Sequence, residues 1–461
     1  MSDLPFGFSN SDDDPDRDKN ASGGPGGPGG MPFGFGAEGF DPAALGQMLT
    51  QFGQMLSGMG SAMGPGGQSS GPVNYDVAKK LALQQIGSVT PVSDGTGAAV
   101  ADAAHLAELW LDGATTLPAG ATRTAAWTPA DWLENTLDTW KRLCDPVAEQ
   151  VSGMWVSGLP EEAKQMAGPM LGMIGQMGGL AFGSQLGQAL GQLASEVLTS
   201  TDIGLPLGPH GVAALQPAAI EKFSEGLEQP DREILVFLAA REAAHQRLFV
   251  HVPWLRQRLL ATVEEYARGI KMDFSAIEEA AQNLDPNALT DPSKLEELLQ
   301  QGTFEPQTTP EQKQALERLE TLLALIEGWV ETVVAEALGE RLPGVAALNE
   351  TLRRRRATGG PAEQTFATLV GLELRPRKVR EAAQLWHRLT EAAGMDGRDG
   401  VWAHPDLLPD SSDLDSPAGF VDRVVGGGSS TFDDPIAQLE ALQAREREER
   451  GEGGDANASD E

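Results

Sequence analysis

Cysteine is almost absent: Cys144 is the only one in 461 residues. No intrachain disulfide can form, which fits a reduced compartment. Histidine is also scarce, with six in all, so a Cys/His metal cluster has little to draw on. Positive charge is in short supply. Lys and Arg total 34 against 67 Asp and Glu, a formal net charge of −33. Such a chain offers no basic face to nucleic acid, and its charge disfavours docking on anionic membranes. The N-terminal MSDLPFGFSNSDDDPD has neither the basic n-region nor the apolar h-region of a secretory signal. These features point to a cytoplasmic protein. There is no P-loop, no G-x-G-x-x-G after a strand and no G-x-S-x-G elbow, which removes the commonest nucleotide and serine-hydrolase readings. Period-two alternation is rare, so β content is expected to be small. No repeat of 20 to 50 residues is visible.

What is present is unevenly spread. Residues 1–72 are rich in Gly, Pro and Ser and lack periodic apolar residues, a composition that cannot offset its ordering entropy. Within them Pro-Phe-Gly-Phe occurs twice, at Pro5–Phe8 and Pro32–Phe35. A short amphipathic helix is predicted over 41–59, with Asp41 as N-cap, Pro42 at N1 and Leu45, Met48, Leu49, Phe52, Met55, Leu56 and Met59 on one stripe. It either folds back on its own domain or docks on a partner. Residues 426–461 read as a disordered acidic tail. Between the tails, 73–425 reads as one mainly α domain.

Helices are predicted over Asn74–Ile86 and Ala98–Trp110. Another starts at Thr128-Pro129-Ala130-Asp131 and carries Leu133, Leu137, Trp140 and Cys144 on its stripe. Lys164 to Glu196 contains no charge between its ends. Its recurring glutamines, Pro169 and lack of a basic flank disfavour a membrane span. Gly175, Gly179, Gly183, Gly187 and Gly191 recur every four residues, making a groove without side chains that another helix can approach closely. Thr201–Gly211 is the best candidate for an extended segment. Thr309-Pro310-Glu311-Gln312 opens a long helix to about Leu338, and further starts lie at Ser275 and Asp291-Pro292. Ala346–Ala357 ends in four arginines, expected to be a solvated helix end favoured by the dipole. Helices over 362–372 and 376–393 precede a loop, Gly397–Asp410, that holds Trp402 and His404.

The stretch that carries chemistry is Asp231–Phe249, DREILVFLAAREAAHQRLF. Its second half reads R-E-x-x-H, one residue from the helical zinc-protease motif H-E-x-x-H. Positions 241 and 245 lie one turn apart on one side of a helix, with 242 beside them. Two histidines there hold a zinc ion while the glutamate activates water. Arg241 stands where the first ligand would be, and a guanidinium cannot bind metal. On spacing alone the tetrad also arises readily in a Glu- and Ala-rich helix, where His245 would be structural. Glu264, Glu265 and Glu327 are candidate third carboxylates. Glu327 adjoins the apolar stripe of the 309–338 helix, and a buried carboxylate needs a partner. That partner is a metal or, equally, Arg241. An Arg241–Glu327 ion pair with His245 bonded nearby would satisfy the same groups without metal.

The segments REAAHQRLFVHVPWL, LIEGWVETVV, RRRRATGGPAEQTFATLVGLELRPRKVREA and GRDGVWAHPDLLPD together resemble the zincin-like metallopeptidase type 2 family. The resemblance covers about 73–425. The group is typical of actinobacteria and often labelled as hydrolases. It implies a zinc-dependent peptidase acting on a peptide or protein. Members carry H-E-x-x-H in the first segment and E-G-H in the second. By that resemblance Glu242 is the catalytic base, and His245 and Glu327 are zinc ligands. The first ligand falls on Arg241 and the histidine of E-G-H on Trp329. Three readings follow: a zinc hydrolase with one ligand unidentified, an inactive relative that binds peptide or protein, and a helical interaction protein using the N-terminal Phe-Gly-Phe and Met-rich elements.

Overall fold

A computed structural model describes residues 71–157, 168–269, 309–357, 365 and 377–426. The predicted 41–59 helix, the helix starts at Ser275 and Asp291, and the tail beyond 426 lie outside them. Of the predicted 362–372 helix only Thr365 is described.

The described chain is mainly helical. In order it forms α1 (Tyr75–Ile86), α2 (Asp94–Leu111), β1 (Arg123–Ala126), α3 (Pro129–Ser157), α4 (Gly168–Ala194), β2 (Val212–Leu215), α5 (Pro217–Ser224), α6 (Asp231–His251), α7 (Leu255–Arg268), α8 (Pro310–Leu338), α9 (Val345–Ala357), α10 (Val379–Gly400), α11 (Ser411–Asp415) and α12 (Pro417–Gly426). Local chemistry sets the starts. Asn74 caps α1 by accepting from the Val77 amide. Thr128 and Asp131 exchange side-chain and backbone hydrogen bonds at the head of α3. Thr309 and Gln312 do the same for α8, with Pro310 at its first turn.

The central pair is α6 and α8. From Phe237's neighbour Val236 to Phe249 every residue of α6 is buried, so the helix is enclosed on all sides rather than amphipathic. α2 and β2 pack on it, and α8 touches α6, α7 and α10. Trp329, Trp386 and Trp402 are fully buried. Trp386 donates its indole N–H to the Leu325 carbonyl and Trp329 its own to Asp399, whereas the Trp402 indole N–H has no partner among the described residues.

The glycine groove of α4 packs against α1. A Cβ on Gly187 would lie 2.5 Å from the Ala78 carbonyl oxygen and 2.9 Å from Leu81 Cβ, and Gly191 and Gly183 face α1 as closely. The Asn74 amide also donates to the Gly179 carbonyl, at 3.0 Å.

Two short strands pair in parallel, with Arg123 opposite Val212 and Ala126 opposite Leu215. The predicted extended segment, Thr201–Gly211, lies just before β2 and is mostly turn. Instead the preceding residues hook onto β2: the Ser200 amide donates to Ala214 and the Gln216 amide to Leu198. Four-residue strands with the sequences RTAA and VAAL carry no alternation to read, and the pairing is set by distant chain packing.

Candidate functional site

The site is built where α6, α8, the end of α9 and the Thr199–Gly204 turn converge. Arg241, Glu242 and His245 come from one buried face of α6. Glu327 comes from α8. Arg241 is 7% exposed, Glu242 0%, and His245 and Glu327 2% each. The structure thus brings Arg241, His245 and Glu327 into contact.

Glu327 is the hub. Its Oε2 receives Arg241 Nη2 at 2.6 Å and Arg356 Nη1 at 2.5 Å. Its Oε1 lies 3.1 Å from His245 Nε2. The other ring nitrogen, Nδ1, lies 2.8 Å from the Arg241 carbonyl oxygen. Burial by itself would raise the Glu327 carboxyl. The charges of Arg356, His245 and Arg241 outweigh it and hold the group well below the usual carboxylate range. Burial draws the Arg241 guanidinium down from its ordinary value; Glu327 opposes this and Arg356 adds to it.

Arg356 was not expected here. Of the run Arg353–Arg356 only Arg354 is exposed as a solvated helix end would be; the other three are part-buried. Arg355 Nη1 reaches Asp202 at 2.9 Å and donates through Nη2 to the Glu196 carbonyl, while Arg356 Nη2 donates to the Asp202 carbonyl. The C-terminus of α9 docks against the Thr199–Gly204 turn, and the buried carboxylates of Asp202 and Glu327 draw the two arginines inward. The sequence signal was the pairing of four arginines with isolated acids far away in the chain, which spacing cannot connect.

Gly204 makes that docking possible. Its φ of +79° is left-handed, and a Cβ there would sit 3.2 Å from Glu327 Oε1. The turn therefore passes directly over the carboxylate.

Glu242 faces the same turn. It accepts from Ser200 Oγ at 2.5 Å, Gln246 Nε2 at 3.0 Å, the Thr201 amide at 3.1 Å and Thr201 Oγ1 at 2.6 Å. Four donors engage its two oxygens, and together they fix the turn to α6.

The remaining candidates lie elsewhere. Glu264 pairs with Arg142 and Arg268, and Glu265 with Arg318. His251 is exposed and meets the Ala119 carbonyl. His210 is exposed. His404 is an exposed brace that accepts from the Asp406 amide. Trp329, on which the histidine implied by the resemblance falls, donates its indole N–H to Asp399 Oδ1 at 2.9 Å. Asp399 also pairs with the buried Arg398 and accepts from Thr115 and Thr116.

A four-coordinate catalytic zinc uses three protein ligands plus water. Among the described residues no group of three or more His, Cys, Asp or Glu is placed to hold a metal ion. His245 and Glu327 adjoin each other, but two guanidinium groups sit on the Glu327 oxygen. The side chains present do not fit a catalytic zinc centre.

None of the curated proteins matches the chain. Among solved structures it is similar to a protein of Chloroflexus aurantiacus described as a putative hydrolase with a novel fold. The TM-score is 0.55 and the identity 19%, over 76% of this chain and 98% of that one. This likeness shows a shared fold. The family description that matches residues 73–421 is that of a zincin-like metallopeptidase. Buried α6 with its R-E-x-x-H, the E-G-W of α8 and the G-R-D-G of α10 all fall inside that span, and the chain belongs to the zincin-like metallopeptidase family.

Proposed function

We propose that this protein is a zincin-like scaffold in which a buried arginine–glutamate–histidine cluster stands in place of a catalytic metal, and that it binds peptide or protein ligands without hydrolysing them. The observation that carries this is the convergence of Arg241 and Arg356 on Glu327 Oε2, at 2.6 and 2.5 Å. A dication on that carboxylate would meet two fixed positive charges in a site of low dielectric. The guanidinium groups neutralise the carboxylate that a metal would otherwise neutralise. Glu242, the residue that would activate water, is occupied by four donors from Ser200, Thr201 and Gln246.

A zinc-dependent hydrolase is the second reading. It is favoured by His245, whose Nδ1 faces a backbone carbonyl while Nε2 points at Glu327. That is the orientation zinc-bound histidines adopt. Zinc binding here would require both arginines to leave Glu327.

A peptide-cleavage assay separates the two. The purified protein, supplied with zinc, is incubated with a degenerate peptide pool and the products are read by mass spectrometry. The metal-free reading predicts the pool recovered intact. Cleavage that disappears in both Glu242→Gln and His245→Ala would establish the hydrolase instead.

A further inference from the structure

Arg241 and Glu327 are also the inner end of a cavity of about 640 Å³, a size within the usual range of ligand pockets, about 300–1,000 Å³. Its charge is unlike that of the chain. Arg241, Arg353, Arg354, Arg356, Arg377 and Arg380 line it against four glutamates, in a protein whose formal net charge is −33. Among the described residues Glu331 serves Arg353 alone; the other two paired acids are oversubscribed. Glu327 serves Arg241, Arg356 and His245. Glu350, near the rim, serves Arg353, Arg354 and Arg380. Arg377 is exposed, and its distance to Glu320 is 3.9 Å, beyond hydrogen-bonding range. Guanidinium groups in excess over the carboxylates around a concavity suit a planar anion held by paired N–H donors.

A second observation narrows the anion. Asn349 lines the same cavity and is 7% exposed, yet its Oδ1 has no hydrogen-bond partner among the described residues. A buried acceptor left unpaired is costly. It calls for a ligand N–H beside the anion. Inorganic phosphate has no such N–H. A peptide C-terminus has both parts: a carboxylate for the arginines and, across the last Cα, an amide N–H for Asn349.

We propose that this cavity is a binding site for the C-terminal carboxylate end of a peptide. The choice of ligand rests on the peptide-binding reading above. The carboxylate would be held by the rim arginines Arg377 and Arg380 and the terminal amide N–H by Asn349 Oδ1.

The test uses the full-length protein and a pool of N-terminally fluorescein-labelled tetrapeptides built from uncharged residues, made once as free acids and once as C-terminal amides. Fluorescence polarisation should show the acids binding at least about tenfold tighter than the amides. Arg377→Ala/Arg380→Ala alters two exposed side chains, and its fold is checked by circular dichroism. It should weaken the acids at least about tenfold and erase the preference over amides. Asn349→Ala should weaken acids and amides by the same factor. N-acetylglycine, which has one carboxylate and one N–H, should displace the acids better than inorganic phosphate. Equal binding of acids and amides, binding of neither, unaltered binding by the double arginine variant, or the reverse order of competitors would each overturn the proposal. Zinc content is measured on the same preparation. Zinc in a protein that still prefers acids would sink the metal-free reading and leave this one standing.

Discussion

Two guanidinium groups and one imidazole converge on the two oxygens of Glu327, and that fact decides what single substitutions do. Glu327→Ala would leave Arg241, Arg356 and His245 facing one another without their shared acceptor. Removing one partner of a buried pair costs about 3–5 kcal/mol, and urea unfolding should show a loss in that range. Arg241→Ala should cost less, because Glu327 keeps Arg356 and His245. The same carboxyl sets a pH dependence. Its folded value is depressed well below the ordinary carboxylate value, so its stabilisation is complete above that ordinary value and lost as pH falls through the folded one. Glu327→Gln should therefore flatten the acid limb below about pH 4.5 by up to about 1.4 kcal/mol per pH unit. An acid limb of unchanged slope in that variant would contradict the account. At this scale the sequence was informative about identity and silent about partners. The tetrad at 241–245 and the lone carboxylate at 327 were readable because each breaks an apolar pattern. Arg356 and the turn donors to Glu242 were not, because Ser200, Thr201 and Arg356 lie 29 to 42 positions from their partners and no periodicity links them.

Among the elements, the α1–α4 contact is the most exacting. The four-residue glycine period predicted a close helix approach, and α1 is the helix that makes it. Adding one methyl group at Gly187 would press on the Ala78 carbonyl oxygen. Gly187→Ala should destabilise by about 1–3 kcal/mol through overpacking. Gly175 sits on the same period but has nothing within 4 Å of a built Cβ. Gly175→Ala should instead be neutral or stabilising by up to about 1 kcal/mol, the helix-propensity gain. Thermal melts of the two variants check this directly; similar melting temperatures would mean the groove is not the contact that matters. Helix starts at Thr128 and Thr309 were legible because a cap is a local hydrogen-bond exchange. The β1–β2 pair was not, because its register is fixed by packing on α6 and by the hook of Ser200 and Gln216 rather than by its own residues.

At the scale of the molecule, a strongly acidic chain places six of its 34 Lys and Arg residues around one buried carboxylate and the cavity that leads to it. No helix among the described residues is long and apolar enough to cross a membrane, consistent with the glutamine-punctuated glycine run. The family resemblance was carried by long ordered segments, and the family match covers 73–421. Of the zinc ligands the resemblance implied, Glu327 is paired to two arginines. The decisive measurement is zinc content by elemental analysis of the purified wild type, after zinc is offered and the excess removed, beside His245→Ala and Glu327→Ala. The account predicts no stoichiometric zinc in the folded wild type. About one zinc per chain, lost in both variants, would contradict it.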